Sequence, residues 1–237
     1  MSLKVAALDV PHRFGDPIAQ LELTDRLLAN AADLDLALLP ECALTGYVSE
    51  SKDFDLSRFA EPLDGPTAAA LSKLSRKHGV ALAGPVIEQA GDALFNSFVI
   101  FDASGALLAH YRKRNPWLPE TWATPGDLPN PVFKLGSTTL TVAICFDVHF
   151  LAEDAPLQLL ASDVLLFPSA WVDDEPGDGR SVLLPEVARR FDVEIVNANW
   201  GEGTPWVRGQ GGSRLVSRDG TEQRGPSGFS AMGRVGL

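Results

Sequence analysis

Three ionisable side chains stand where apolar runs of the sequence end. Glu41 follows the run "LALLP", Lys113 follows "ALLAHY" after one residue, and Cys145 closes "LTVAIC". Each run is typical of a buried strand, and functional groups in layered α/β folds gather where strands become loops. A nucleophilic thiol needs a base to take its proton and a cation to stabilise the thiolate and the oxyanion formed after attack. The three residue types therefore indicate nucleophilic catalysis by cysteine.

Each of these residues also has an alternative, purely structural interpretation. Free cysteine is among the most buried residue types, so Cys145 alone would be read as a small core residue. Lys113 belongs to the basic run "YRKR", which is also typical of a solvated surface. Cys42 directly follows Glu41, so in an extended backbone its side chain points to the opposite face, which predicts a core role for Cys42.

Helices, strands and hairpins alternate along the chain around these residues. Strands are predicted over 3–10, 34–40, 80–88, 164–171 and 193–200, helices over 16–32, 65–79, 155–163 and 181–192, and hairpins over 94–111, 132–147 and 211–225. Residues 114–131 are rich in proline and predict a long ordered loop. About ten strands and four or five helices in this order predict a mixed α/β fold, in which helices cover the outer faces of two β-sheets.

The composition limits the classes of function. The chain has 237 residues with 45% hydrophobic and 22% charged positions, which predicts one globular domain over residues 1–237. A net charge of -11 argues against nucleic acid and anionic membranes as partners. Neither a membrane span nor a signal peptide is indicated, and two cysteines suit a reduced compartment, so we expect a cytoplasmic protein.

No metal ion or other cofactor is expected. The histidines show no ligand spacing with cysteine or acidic pairs, and they are His12, His78, His110 and His149. The segment "GQGGS" lacks the lysine and the following helix of a phosphate-binding loop, so we interpret it as a turn.

The segments "PECALTGY", "YRKRNPW" and "VAICFDVHF", in this order, resemble the three signatures of the carbon-nitrogen hydrolase (nitrilase) superfamily. The resemblance implies a four-layer αββα sandwich and a homodimer or higher homo-oligomer. It implies that Cys145 is the nucleophile that forms a thioester, that Glu41 is the general base, and that Lys113 stabilises the tetrahedral intermediate with the backbone N–H of Phe146. Small-molecule amides or N-carbamoyl compounds are the substrates implied.

Further residues gain expected roles from the same resemblance. Glu120, in "LPETWATPGD", is similar to a second family glutamate that orients the lysine or assists proton transfer, with a surface carboxylate as the alternative. Asp147 would support the nucleophile's turn, and His149 stands where relatives often carry arginine. Pocket or substrate contacts are expected from Trp117, Trp122, Trp171 and Asn197, with packing or loop support as the alternative.

Two other functions remain open from the sequence, and the substrate is not fixed. A metal-dependent phosphoesterase would use a similar layered fold, and a noncatalytic binding protein would retain the same scaffold. The short segment "SGFSAMGRVGL" after the last hairpin suggests a reduced arm for oligomer contacts. An acidic loop favours a cationic or neutral substrate, unless it is a solvated charge run; its acidic residues are Asp173, Asp174, Glu175 and Asp178.

Overall fold

The fold rests on two large mixed β-sheets that face each other. A computed structural model describes residues 2–31, 33–173, 177–225 and 231–236. Asp174 and Glu175 of the acidic loop, Ala32 at the expected end of the first helix, and part of the C-terminal segment therefore lie outside the described residues.

The strands are β1 (Leu3–Ala7), β2 (Pro11–Arg13), β3 (Leu36–Leu38), β4 (Ala81–Ala90), β5 (Ala93–Phe101), β6 (Leu107–Arg112), β7 (Val132–Leu135), β8 (Thr138–Val142), β9 (Val164–Ser169), β10 (Glu194–Asn199), β11 (Gly201–Thr204), β12 (Arg214–Val216), β13 (Glu222–Arg224) and β14 (Ala231–Val235). The helices are α1 (Pro17–Ala29), α2 (Pro66–His78), α3 (Leu151–Asp154), α4 (Pro156–Leu160) and α5 (Arg180–Phe191). Short 3₁₀ turns occupy Ser57–Phe59 and Cys145–His149.

Each large sheet has six strands and contains both parallel and antiparallel pairs. The first has the order β14-β1-β3-β4-β5-β6, in which β1, β3 and β4 are parallel. The second has the order β13-β12-β10-β9-β8-β7, in which β8, β9 and β10 are parallel. A short parallel pair of β2 and β11 forms a third sheet. Parallel strands end at the same edge, so each sheet brings several strand ends together.

Side chains alternate between the two faces of each strand, and this alternation produces the layers of the fold. Val5, Leu36 and Phe98 of the first sheet share one core cluster with Val142 and Val196 of the second, which places these residues between the sheets. The strands β1 and β3 also contact β10 across this space. Successive strand residues point to opposite faces, so the residues between these positions must find partners on the outer side.

Helices supply those partners. Ala6, Leu82 and Val99 pack with Leu28 of α1 and Leu71 of α2 on the outer face of the first sheet. On the second sheet, α5 contacts β10 and β12, and α4 packs against α5. The order of layers is helix, sheet, sheet, helix, which confirms the predicted αββα sandwich.

Local sequence signals explain the helix ends. The side chain of Asp16 accepts a hydrogen bond from the Ala19 N–H at 3.1 Å, so Asp16 caps α1. Gly79 ends α2 with a φ of 64°, which a residue without a Cβ adopts at little cost. Helix α5 includes Pro185, as predicted. None of the helices in the described part of the chain is long and apolar enough to cross a lipid bilayer.

The structure departs from the predicted elements in several places. Helix α1 ends at Ala29, earlier than expected, and the helix expected over 155–163 is reduced to α4, with α3 before it. The hairpin expected over 132–147 ends its second strand at Val142, so Cys145 lies in a 3₁₀ turn beyond the strand. The strands β2, β11 and β14 were not predicted, because their pairing partners are remote in sequence.

Candidate active site

The three residues singled out in the sequence come from strand ends on both large sheets. Glu41 lies in the turn that follows β3, and Lys113 follows β6 directly. Cys145 begins the 3₁₀ turn that follows β8 of the second sheet. Because the sheets pack face to face, loops from both sheets meet at one end of the sandwich.

The ammonium group of Lys113 links two carboxylates. Its Nζ donates to Oε1 of Glu41 at 2.7 Å and to Oε1 of Glu120 at 2.5 Å. All three side chains are buried, and Lys113 has an exposed fraction of 0%. The structure thus brings Glu120 into the site, and Glu120 is not a surface carboxylate. A lysine is buried at this depth because two carboxylates compensate its desolvation.

Two further residues complete this network, and sequence reasoning gave neither a role. The Nδ2 atom of Asn96 donates to Glu41 at 2.8 Å and to Glu120 at 3.2 Å, and the hydroxyl of Tyr47 donates to Glu120 at 2.6 Å. Asn96 had a visible signal, since it is an amide in the apolar strand "LFNSFVIF". A buried amide in such a strand needs partners in the interior.

Cys145 has an unusual backbone conformation. Its φ is 43°, in the left-handed region that non-glycine residues rarely adopt. Asp147 holds the turn, because its Oδ2 atom accepts the N–H of Ile144 at 3.0 Å and the hydroxyl of Tyr111 at 2.9 Å. Its Oδ1 atom accepts the N–H of Asn115 at 2.8 Å. These contacts confirm the predicted supporting position of Asp147, and strain of this kind is concentrated at functional sites.

The environment of the network raises the pKa values of both Glu41 and Lys113. Burial raises the pKa of Glu41, and the nearby Glu120 adds to this while Lys113 opposes it. Burial alone would lower the pKa of Lys113, but Glu120 and Glu41 outweigh it and hold the pKa well above its ordinary value. Lys113 is therefore a permanent cation, and Glu41 binds a proton more tightly than a solvated glutamate does.

The thiol of Cys145 is protonated at neutral pH in this environment. Burial raises its pKa well above the ordinary value, Glu41 adds to the effect, and Lys113 partly offsets it. The N–H of Ala170 also lowers the pKa of the thiol, and the same N–H donates to Oε2 of Glu41 at 2.9 Å. A protonated thiol needs a base that removes its proton as the sulfur attacks. The hydrogen bond from Ala170 holds the carboxylate of Glu41 near the thiol of Cys145.

Cys145 lies in the wall of a pocket of about 510 Å³. The residues that line it are Trp117, Cys145, Phe146, His149, Ala170, Trp171, Val172, Asp173, Gly177, Asp178, Gly179 and Val182. Three of the residues expected to contact substrate, Trp117, Phe146 and Trp171, belong to this lining. Trp122 instead packs in the cluster around Tyr47. The pocket brings the thiol to a largely apolar space of the size of a small ligand.

Asn197, another residue expected to contact substrate, lies outside this lining. It is fully buried, and its Nδ2 atom donates to the carbonyl of Phe167 at 2.8 Å and to the hydroxyl of Ser169 at 2.9 Å. Asn199 accepts the N–H of Trp171 at 3.0 Å. In this position Asn197 supports the backbone behind the pocket, in agreement with the loop-holding alternative.

Cys42 is packed in the interior, although the reason differs from the expected one. Its φ is 49°, so the chain after Glu41 is a turn and not an extended strand. The side chain joins the cluster around Tyr47, and its exposed fraction is 1%, compared with 7% for Cys145. Of the two cysteines, Cys145 is the one that lines the main pocket.

Metal-ligating side chains do not converge in the described ranges of the chain. No group of three or more histidine, cysteine, aspartate or glutamate side chains there is arranged to hold a metal ion. The two carboxylates of the site, Glu41 and Glu120, instead share the ammonium group of Lys113.

Comparison with known proteins agrees with this architecture. The model of the carbon-nitrogen hydrolase family matches residues 4–220. A Pseudomonas protegens protein described as a hydrolase in the pqqF 5′ region is 28% identical over 172 residues, which cover 71% of this chain and 60% of that protein. N-carbamoylputrescine amidase of Arabidopsis thaliana is 27% identical over 220 residues, covering 81% of this chain and 73% of that protein.

Solved structures extend the likeness to the fold. A mutant of the amidase from Nesterenkonia AN1, of the nitrilase superfamily, superposes with a TM-score of 0.81 at 25% identity, covering 98% of this chain and 88% of that one. The match to the Pseudomonas protein spans less than two thirds of that relative's length. Since the family match takes in the turns of Glu41, Lys113 and Cys145, this chain belongs to the carbon-nitrogen hydrolase family.

Proposed function

We propose that this protein hydrolyses a non-peptide carbon-nitrogen bond in a small amide or N-carbamoyl compound. The reaction releases ammonia or an amine and leaves a carboxylic acid, through a thioester on Cys145. The observation that carries the proposal is the buried ammonium of Lys113 held between Glu41 and Glu120, with the thiol in the adjoining pocket wall. We further propose that one domain over residues 1–237 carries the activity.

Acylation begins at the protonated thiol. Glu41 accepts the thiol proton while the sulfur of Cys145 attacks the carbonyl carbon, and the carbonyl oxygen becomes an oxyanion. The ammonium of Lys113 and the backbone N–H of Phe146 stabilise that negative charge, which develops only in the transition state. The carbon-nitrogen bond then breaks, Glu41 returns the proton to the leaving nitrogen, and ammonia or an amine departs.

Water completes the cycle by the same proton path. Glu41 takes a proton from a water molecule as its oxygen attacks the thioester carbon, and the carbon-sulfur bond breaks. The sulfur regains a proton from Glu41, and the carboxylic acid leaves. The raised pKa of Glu41 suits this role, because a group that accepts and returns protons works best when its pKa approaches the working pH.

Glu120 has a supporting part in the proposal. It shares the ammonium of Lys113 with Glu41 and receives the hydroxyl of Tyr47. Glu120 therefore fixes the position of the ammonium and keeps it charged. Phe146, Trp117 and Trp171 would contact the substrate from the pocket wall, while Asn197 would act through the backbone behind it.

Several relatives are named as amidases, and one from Pyrococcus abyssi is named as a nitrilase. One is named as an N-carbamoylputrescine amidase and another as an (R)-stereoselective amidase, which is 26% identical over 216 residues. An amide and an N-carbamoyl compound both present a carbonyl carbon to a thiol. The same catalytic groups would therefore serve both substrates.

The test is ammonia release from a panel of aliphatic, aromatic, dicarboxylic ω-amide, N-carbamoyl and nitrile compounds. We expect turnover of an amide or N-carbamoyl member by the wild type and by Cys42→Ala, and none by Cys145→Ala. The two cysteines make a matched pair, because both are buried and only one lines the pocket. Turnover that survives in Cys145→Ala would refute the proposal. An inactive protein in which a thiol reagent also fails to label Cys145 would favour the binding protein.

A homodimer is part of the proposal and has its own measurement. Leu157 and Leu160 on α4 and Val182 on α5 are large apolar side chains with exposed fractions of 75%, 64% and 72%. Apolar side chains gathered on packed helices suit a surface between two copies of the chain. Light scattering coupled to size-exclusion chromatography would show twice the chain mass, and a Leu157→Lys, Leu160→Lys variant would shift it to the monomer.

A further inference from the structure

We propose that the pocket beside Cys145 selects substrates whose acyl part ends in a cationic group, which Asp173 binds, and that it rejects acyl parts ending in a carboxylate. The inference rests on the proposed function and names the substrate class of that site. Its evidence is the charge and the aromatic character of the pocket wall.

The lining combines aromatic faces with acidic side chains. Trp117, Phe146 and Trp171 supply aromatic surface, and Asp173 and Asp178 supply carboxylates. An ammonium or guanidinium group is attracted to the face of an aromatic ring and to a carboxylate, whereas an anion is attracted to neither. The wall therefore offers a cation both aromatic faces and carboxylates at one side of an apolar pocket.

Asp173 is held in place by its neighbours. Its Oδ1 atom accepts the indole N–H of Trp171 at 2.8 Å and the backbone N–H of Gly179 at 3.0 Å. Its own backbone N–H donates to the carbonyl of Arg208 at 3.1 Å. A carboxylate fixed by two hydrogen bonds on a tethered backbone loses little side-chain entropy when it binds a ligand.

The charges of the two wall carboxylates are balanced to different degrees. Asp178 forms ion pairs with Arg214 at 2.6 Å and with Arg224 at 3.1 Å. None of the ion pairs within the described part of the chain includes Asp173. Arg180 is buried; its guanidinium donates to the carbonyls of the 209–211 segment, pairs with Asp178 at 3.5 Å and attracts Asp173 without forming an ion pair with it. Of the two wall carboxylates, Asp173 is therefore the one whose charge is less fully balanced.

A positive side chain is missing from the described lining. Its basic residue is His149, and burial lowers the pKa of that imidazole, so it is uncharged at neutral pH. A substrate carboxylate would thus lie next to Asp173 with no cationic side chain in the described lining to pair with, which is unfavourable.

The test compares three pentanamides that carry an ammonium, a methyl or a carboxylate group at the far end of the chain. Their shapes are similar and their charges differ. For the wild type we expect kcat/KM for the ammonium compound to exceed that for the carboxylate compound by about tenfold, with the methyl compound between them. The preference should weaken as salt is added, because the pair is partly exposed.

Variants assign the preference to one side chain. Asp173→Asn keeps Oδ1 as an acceptor for Trp171 and removes the charge, so kcat/KM for the ammonium compound should fall about fivefold while the methyl compound changes less than twofold. The control is Asp192→Asn at the opposite end of α5, where Asp192 has a φ of 52° that asparagine also tolerates. It removes the same charge and should leave all three values unchanged.

The outcomes separate the two proposals. Equal kcat/KM values for the ammonium and carboxylate compounds, or an equal loss for all three compounds in Asp173→Asn, would overturn this inference and leave the hydrolase proposal intact. If no amide is turned over, the hydrolase proposal fails, and calorimetric binding of the three compounds to Cys145→Ala still decides the inference. Tighter binding of the ammonium compound would support it, and equal or weaker binding would overturn it.

Discussion

Replacement of Asn96 by leucine is expected to disable the site while leaving the fold in place. Asn96 lies in β5 and donates from one Nδ2 atom to both Glu41 and Glu120. Leucine has a similar size and no donor. The variant therefore removes two hydrogen bonds to the buried carboxylates of the candidate site and leaves Lys113 in place.

The expected magnitudes follow from these contacts. Each hydrogen bond to a charged group contributes about 1.5–3 kcal/mol. The Oδ1 atom of Asn96 is buried without a partner, so leucine also removes an unfavourable group, which offsets part of the loss. We expect the free energy of unfolding to fall by about 2–3 kcal/mol. Loss of one such bond from the transition state would lower kcat/KM by about 10- to 100-fold.

The pH dependence of kcat/KM gives a second test of the role of Asn96, because the direction of its shift can be predicted. The amide of Asn96 donates to the carboxylate of Glu41 and so favours its charged form. Without this donor the pKa of Glu41 rises further above its ordinary value. Since the proposed reaction needs Glu41 deprotonated as the base, the acid limb of the kcat/KM profile should move to higher pH.

Ser97→Ala provides the matched control on the same strand. Its hydroxyl donates to Glu88 at 2.6 Å, on the opposite face of β5 from the site. This variant also removes a hydrogen bond to a buried carboxylate, so we expect a loss of about 2 kcal/mol in urea unfolding with kcat/KM unchanged. If Asn96→Leu kept kcat/KM within twofold of the wild type, or if both variants lost activity equally, the role given to Asn96 would be wrong.

Three other perturbations test separate parts of the structure. Lys113→Met should abolish measurable activity and lower the free energy of unfolding by about 3–5 kcal/mol in urea, because two buried carboxylates lose their cation. A variant as stable as the wild type would show instead that these carboxylates are protonated. Burial opposes the low pKa of Glu88, but hydrogen bonds from His110, Arg112 and Ser97 lower it to about 2. The stability that Glu88 contributes is therefore complete above its unfolded value of 4.5 and lost as pH falls through about 2, so the stability difference between wild type and Glu88→Gln in urea should shrink over that range. Gly46 has a φ of 74°, and an added Cβ would lie 2.6 Å from the carbonyl oxygen of Arg13, so Gly46→Ala should cost about 2 kcal/mol or more in thermal unfolding; an unchanged Tm would contradict this geometry.

Short sequence patterns predicted the structural features that depend only on residues close together in the chain. The N-cap of Asp16, the left-handed glycine at the end of α2 and the hairpin of β5 and β6 are all visible in short windows, and the structure has them. The strands β2, β11 and β14 could not be found in this way. Each is short, and each exists because a remote strand supplies its hydrogen bonds, as β1 does for β14.

The same division holds at the site. Glu41, Lys113 and Cys145 were identifiable from the sequence. A charged or nucleophilic side chain at the end of an apolar strand is unfavourable to bury and therefore indicates a functional role. Asn96 and Tyr47 were not given roles, although both donate to the carboxylates. Their partners are 55 and 73 residues away in sequence, so only the packed fold reveals the contact.

The sequence by itself determined the family, the layers and the chemical groups, because these depend on residue type, periodicity and ordered motifs. The tertiary structure decided how those groups behave. It buries Lys113 between two carboxylates, which keeps the ammonium charged, and it buries Glu41, which raises the pKa of that carboxyl against the opposing effect of Lys113. It also decided which cysteine reaches the pocket, since burial and backbone direction arise only when the two sheets pack together.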